Sequence, residues 1–91
     1  MTTARLRKPL DYCDEGQFPV PSPDAPEVAR HLLDVTARII DLVDEHGVRA
    51  MAREIGVAHS GVSRIVTGEL WPSSATISAL EQAYRLDLWR G

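Results

Sequence analysis

The chain holds one cysteine, Cys13, in 91 residues. A lone thiol closes no internal disulfide, and no partner set at zinc spacing accompanies it. The fold must be held by packing, and the thiol reads as incidental in a cytosolic protein. No apolar run approaches the ~20 residues of a membrane span. The basic N-terminus M-T-T-A-R-L-R-K-P has no hydrophobic segment behind it, so it is not read as a secretory signal. The expectation is a cytoplasmic protein with no membrane partner. Repeats and low-complexity segments are missing too. So are a phosphate-binding glycine loop, a nucleophile elbow and metal-ligand spacing. His31, His46 and His59 are scattered, and Asp41, Asp44 and Glu45 have no matching ligands nearby. Neither catalysis nor a cofactor nor a metal is expected.

An excess of positive charge is also lacking. The net charge of −3 argues against a protein that coats DNA. Its distribution says more. Residues 1–10 carry Arg5, Arg7 and Lys8 and no acid; residues 11–46 set nine acids against Arg30 and Arg38. Residues 47–72 set Arg49, Arg53 and Arg64 against Glu54 and Glu69. The two segments suited to phosphate are therefore the two that are not acidic. At 44% hydrophobic and 25% charged, the composition is that of an ordinary soluble domain. One domain of this length buries a modest core and needs well-packed helices or a partner copy.

The most informative stretch is 48–68, V-R-A-M-A-R-E-I-G-V-A-H-S-G-V-S-R-I-V-T-G. Met51, Ala52 and Ile55 share one face of a helix over about 48–55. Gly56 follows, where a helix must stop and the chain must turn. Val62, Ile65 and Val66 mark one face of a second helix over about 59–67. Ala52 is small where two helices cross closely, and Val57, Val62 and Ile65 can plug the corner into a core. His59, Ser60, Gly61, Ser63 and Arg64 are left at the start and on the outer side of the second helix. A helix presented this way is one that the major groove admits.

The spacing Ala52, Gly56, Val62, Ile65 resembles the helix-turn-helix of the lambda repressor/Cro-like (XRE-type) group. T-G-E-L-W-P-S resembles that family's loop after the recognition helix, and residues 77–86 its fourth helix. H-S-G-V is close to the Q-S-G-V of lambda repressor. The resemblance covers about 27–86; residues 1–23 match nothing in the family. It implies an all-α, lambda repressor-like bundle of four to five helices; ahead of it, Pro9, Pro19, Pro21 and Pro23 exclude a helix, so that stretch reads as an extended N-terminal arm. The arm would occupy 1–23 and the DNA-binding domain 24–91. It further implies sequence-specific recognition of double-stranded DNA in transcriptional regulation, as a phage or prophage repressor, a Cro-like regulator or an antitoxin. The family usually binds as a homodimer.

Within that reading, His59 stands where the family places a Gln, and an imidazole lacks the bidentate amide that suits adenine. Ser60 can reach a base edge or a phosphate. Gly61 lets the helix sit close to a thymine methyl, at about 1 kcal/mol of helix propensity. Arg64 should project outward and can pair bidentately with guanine or clamp a phosphate. Ser63 is more peripheral. Thr67 is a phosphate candidate, as are Arg49 and Arg53, which can instead pair with Glu45 or Glu54. Trp71 can plug the loop or aim its N–H at a phosphate. Arg5, Arg7 and Lys8 form a basic arm that can track phosphates or remain a solvated tail.

The flanks are read from periodicity. A first helix should start near Asp24, with its carboxylate as N-cap three before Glu27, and end at Gly47. Val28, Leu32, Val35, Ile39, Leu42 and Val43 form its main apolar stripe. Ala29, Leu33 and Ile40 form a second, to be covered by the Phe18/Val20 segment or by a second subunit. Leu10, Tyr12, Phe18 and Val20 are too apolar for a free tail and should lie on the body. Ser73 or Ser74 should cap a last helix running to about Tyr84, with Ile77, Leu80, Ala83 and Tyr84 inward. Leu86, Leu88 and Trp89 should fold back on the core. A rival reading uses the acids of the first helix (Asp34, Asp41, Asp44, Glu45) to dock a basic protein partner, with DNA binding secondary.

Overall fold

Helix boundaries follow from where the backbone can and cannot close its first turn. The computed structural model describes residues 6–89. Among them are α1 (Glu27–His46), α2 (Val48–Ile55), α3 (His59–Val66) and α4 (Ser74–Tyr84), one 3-10 turn at Pro9–Tyr12, and no strand. No helix is long and apolar enough to cross a membrane among these residues. The four helices and the helix-turn-helix in the middle agree with the sequence reading. Arg5 lies outside the described residues.

The start of α1 differs from expectation. Asp24 is not its N-cap; Pro26 is, with ψ 155°, and no side chain caps the helix. A residue before proline avoids the helical region, so Ala25 cannot belong to a first turn. The Asp24 carboxylate instead accepts from the Ser22 hydroxyl at 2.9 Å. Arg30 does the anchoring from inside the helix: its guanidinium donates to the carbonyls of Ser22, Pro23 and Ala25. At about 1.5 Å per residue, the 20 residues of α1 span roughly the 34 Å length of the molecule. The Pro9–Tyr12 turn, α2 and α3 pack on it, and α4 packs on α2.

The core joins Val35, Ile39 and Val43 of α1 to Met51, Ala52, Val62, Ile65, Ile77 and Leu80, with Leu88 from the tail. The buried stripe of α1 is rotated from the predicted one. Val28 is 54% exposed, while Ala29, Leu33 and Thr36 are fully buried. Thr36 is tolerated because its hydroxyl donates to the Leu32 carbonyl at 2.7 Å. Ala29 and Leu33 lie outside the main cluster. The Pro9–Tyr12 turn packs on α1, with Pro9 buried. The N-terminal segment thus lies on the body, as its apolar content required, but Val20 is 59% exposed and takes little part.

The C-terminal tail is fastened through one residue. Leu88 is 1% exposed. Its N–H donates to Glu81 Oε2 at 2.8 Å, and its carbonyl accepts from Arg38 Nη1 at 2.7 Å. Arg38 also pairs with Asp34 one turn earlier. Trp89 stacks on His31, ring centroids 5.3 Å apart. Ala83, expected inward, is exposed. Arg38→Ala should cost about 1–2 kcal/mol, since it removes a charged donor from a backbone carbonyl next to the core. Urea unfolding would check this, and an unchanged midpoint would mean that Leu88 is held by burial alone.

Candidate nucleic-acid interface

The corner between α2 and α3 is built around Gly56, which takes φ 73°, ψ 32°. Only glycine adopts this left-handed geometry without a Cβ penalty. The N–H groups of Gly56 and Val57 both donate to the Ala52 carbonyl and close α2. Ala52 is 3% exposed where α2 and α3 pack. Val62 and Ile65 point into the core, as expected. Val57 does not: it is 40% exposed. Falling just past the left-handed residue, it lines a cleft with Gly61, Val62, Ile65, Leu70 and Trp71 on the α3–α4 side.

With one face of α3 committed to the core, the other is free. His59, Ser60 and Arg64 are exposed, and Ser63 and Gly61 are half-buried. A Cβ added at Gly61 would meet nothing within 4 Å. Its smallness therefore serves nothing inside the chain. The N-cap is Ala58, which brings no side chain to the first-turn N–H groups. Arg49 and Arg53 stand one turn apart on the exposed side of α2. Neither pairs with Glu45 or Glu54; the ion pairs among the described residues are Arg38–Asp34 and Arg64–Glu69.

Arg64 combines a fixed backbone with a free side chain. Its carbonyl accepts from the N–H of Glu69 at 3.0 Å, the N–H of Leu70 at 3.2 Å and the Thr67 hydroxyl at 3.2 Å. The guanidinium is 65% exposed and meets only Glu69, Nε to Oε2 at 3.6 Å. An exposed contact of that length is worth well under ~1 kcal/mol and would not hold Arg64 from a nucleic acid. Thr67 is the C-cap of α3, and its hydroxyl hydrogen is already given to Arg64.

Trp71, read as a loop plug or a phosphate donor, uses its indole N–H within the chain. Its Nε1–H donates to the Arg7 carbonyl at 2.6 Å. The donor is used within the chain, while the half-buried ring plugs the loop. The same contact shows what the sequence could not: Arg7 is held beside the α3–α4 loop, and 64 residues of separation conceal it. Tyr12 takes part as well, accepting from the Arg7 N–H at 3.1 Å and facing Trp71 at 6.1 Å between ring centroids. The side chains of Arg7 and Lys8 remain exposed.

On charge, α2 and α3 present Arg49, Arg53 and Arg64, and Arg7 and Lys8 come from the docked segment. Exposed acids stand among them, Glu54 on α2, Glu69 after α3 and Asp11, Asp14 and Glu15 in the docked segment, while Asp41, Asp44 and Glu45 lie on α1. No group of three or more potential metal ligands gathers among the described residues. The groups with displaced titration lie elsewhere. Burial raises the Cys13 thiol, with the Asp14 carboxylate adding to it, and burial raises Tyr84, with Glu54 adding to it.

The pattern of one protein family, described as helix-turn-helix, matches residues 44–88. The match starts in the last turn of α1 and ends on Leu88, so it takes in the whole of the exposed face of α2 and α3. No curated protein and no solved structure matches the chain.

Proposed function

We propose, since this chain belongs to the helix-turn-helix family through residues 44–88, that it reads a specific sequence in double-stranded DNA and regulates transcription from that site. DNA binding is what such a domain implies. The single observation that carries the rest is α3: a helix with its core face buried, His59, Ser60 and Arg64 exposed, and Gly61 and Ser63 half-buried at the edges of the exposed side. In this reading α3 lies in the major groove, with Arg64 on a guanine and His59 and Ser60 on neighbouring base edges. Gly61 lets the helix approach closely. Arg49, Arg53, Arg7 and Lys8 meet phosphates and set the register. Thr67 and Trp71 act indirectly, by shaping the loop.

Few cations face the DNA, so one copy would bind weakly. Two copies on half-sites about 34 Å apart would supply the missing affinity, and the regulator would act as a repressor by occupying its operator.

Selection of binding sites from random duplexes with the purified chain, at two salt concentrations, tests this. A palindromic enriched site supports specific reading by a dimer, and an asymmetric one supports reading by a monomer. No enrichment at either salt would overturn the regulator reading.

A further inference from the structure

We propose that Trp71 is a positioning residue that fixes the basic N-terminal segment against the recognition unit, so that Arg7 and Lys8 act as built-in phosphate contacts. The inference rests on the DNA-binding reading above and assigns a part of the site that the family match, beginning at residue 44, does not reach.

Three observations on different atoms converge on it. First, both backbone groups of Arg7 are held: the carbonyl by Trp71 Nε1–H at 2.6 Å, and the N–H by Tyr12 Oη at 3.1 Å. Second, three residues on, the Leu10 N–H donates to the Gly68 carbonyl at 3.1 Å, so the segment is tied to the α3–α4 loop twice. Third, Trp71 lines the same cleft as Gly61 of α3. The indole that holds the basic segment therefore also borders the cleft beside the start of α3.

The consequence is entropic. A free tail pays to become ordered each time it meets a phosphate. A segment with its backbone already fixed pays only for its side chains, so it makes contacts that a free tail would forgo. The side chains of Arg7 and Lys8 are exposed, and the structure uses neither charge in an ion pair among the described residues. The backbone of Arg7 is engaged while its charge is free, whereas Arg64 on α3 has a fixed carbonyl and an exposed 3.6 Å ion pair with Glu69.

The test is a salt series of duplex binding, read by fluorescence anisotropy with a labelled random-sequence duplex and the full chain. Trp71→Phe keeps a ring in the loop and deletes the donor. Arg7→Ala/Lys8→Ala deletes the charges and leaves the donor. Each lost phosphate contact lowers the slope of log K against log salt by about 0.9. The double variant should therefore lose about 1.8, Trp71→Phe should lose a similar amount, and the triple variant no more than the double. Tyr12→Phe, which removes the other hold on Arg7, should move the slope the same way and serves if Trp71→Phe does not fold. A slope unchanged by Trp71→Phe and Tyr12→Phe, but lowered by Arg7→Ala/Lys8→Ala, overturns the positioning role alone. A slope unchanged by the double variant overturns the segment's contact with phosphate. No salt-dependent binding by the unaltered chain overturns the DNA reading together with this inference.

Discussion

Gly68→Ala should destabilise the fold by about 2–5 kcal/mol and release the N-terminal segment from the body. Two costs add. Gly68 has φ +85°, where an L-residue pays roughly 1–2 kcal/mol. A Cβ there would also stand 2.7 Å from Leu10 Cγ, 2.8 Å from Leu10 Cδ2 and 3.1 Å from Phe18 Cε1. Crowding of this kind costs about 1–3 kcal/mol in a packed site. Leu10 Cγ is not the far end of a side chain, so the clash cannot be relieved by a terminal methyl turning away. The simplest escape is for the whole Leu10 segment to lift off, which breaks its hydrogen bond to the Gly68 carbonyl.

A small domain has about 5–15 kcal/mol in all, so the loss is a large share of its stability. Each kcal/mol corresponds to about 4–8 °C in Tm for a chain of this size. A thermal melt reads the stability. Limited proteolysis between Leu10 and Phe18 reads the release. An unchanged melt with a protected segment would mean that Leu10 and Phe18 have room to spare. Because Arg7 rides on the same segment, the variant should also show a shallower salt dependence of DNA binding.

Arg64→Ala should weaken binding to the selected site by about 1–3 kcal/mol, or roughly 5- to 150-fold, and relax the preference at one base pair. The size follows from how the residue is presented. Three donors hold its carbonyl, so the Cα is fixed relative to the rest of α3. The guanidinium is 65% exposed and gives up only a 3.6 Å contact with Glu69 on reaching a base. Little ordering or desolvation offsets the gain. Binding of the variant to the selected site and to single-base variants of it separates two outcomes. A loss confined to one position means guanine reading. A loss spread equally over all sequences, with a salt slope lower by about 0.9, means a phosphate contact. No loss at all would remove Arg64 from the interface. The stability of the variant should be unchanged, because the side chain is largely exposed and its long surface pair with Glu69 contributes little.

The parts of this protein that were legible in its sequence are those set within a few residues. The limits of α2 and α3 follow from the apolar spacing and from Gly56, because a helix closes over four residues and a left-handed corner needs no Cβ. Ser73 was readable as the cap of α4: it accepts from the Thr76 N–H three residues on. The free face of α3 follows from the same spacing once Val62 and Ile65 are turned inward.

Tertiary structure decided what depends on groups far apart in the chain. Asp24 had the chemistry of an N-cap, yet Pro26 moved the helix start and left the carboxylate to Ser22. Val57 fitted a core pattern, but the corner turns it into a cleft. Trp71 offered a donor that suits a phosphate, and Arg7, 64 residues away, took it. Leu88 is held by Arg38 across 50 residues. Which donor meets which acceptor at such separations is set by how the packed helices bring distant segments together, and no local spacing encodes it. The docking of the basic segment on the α3–α4 loop belongs to this second class.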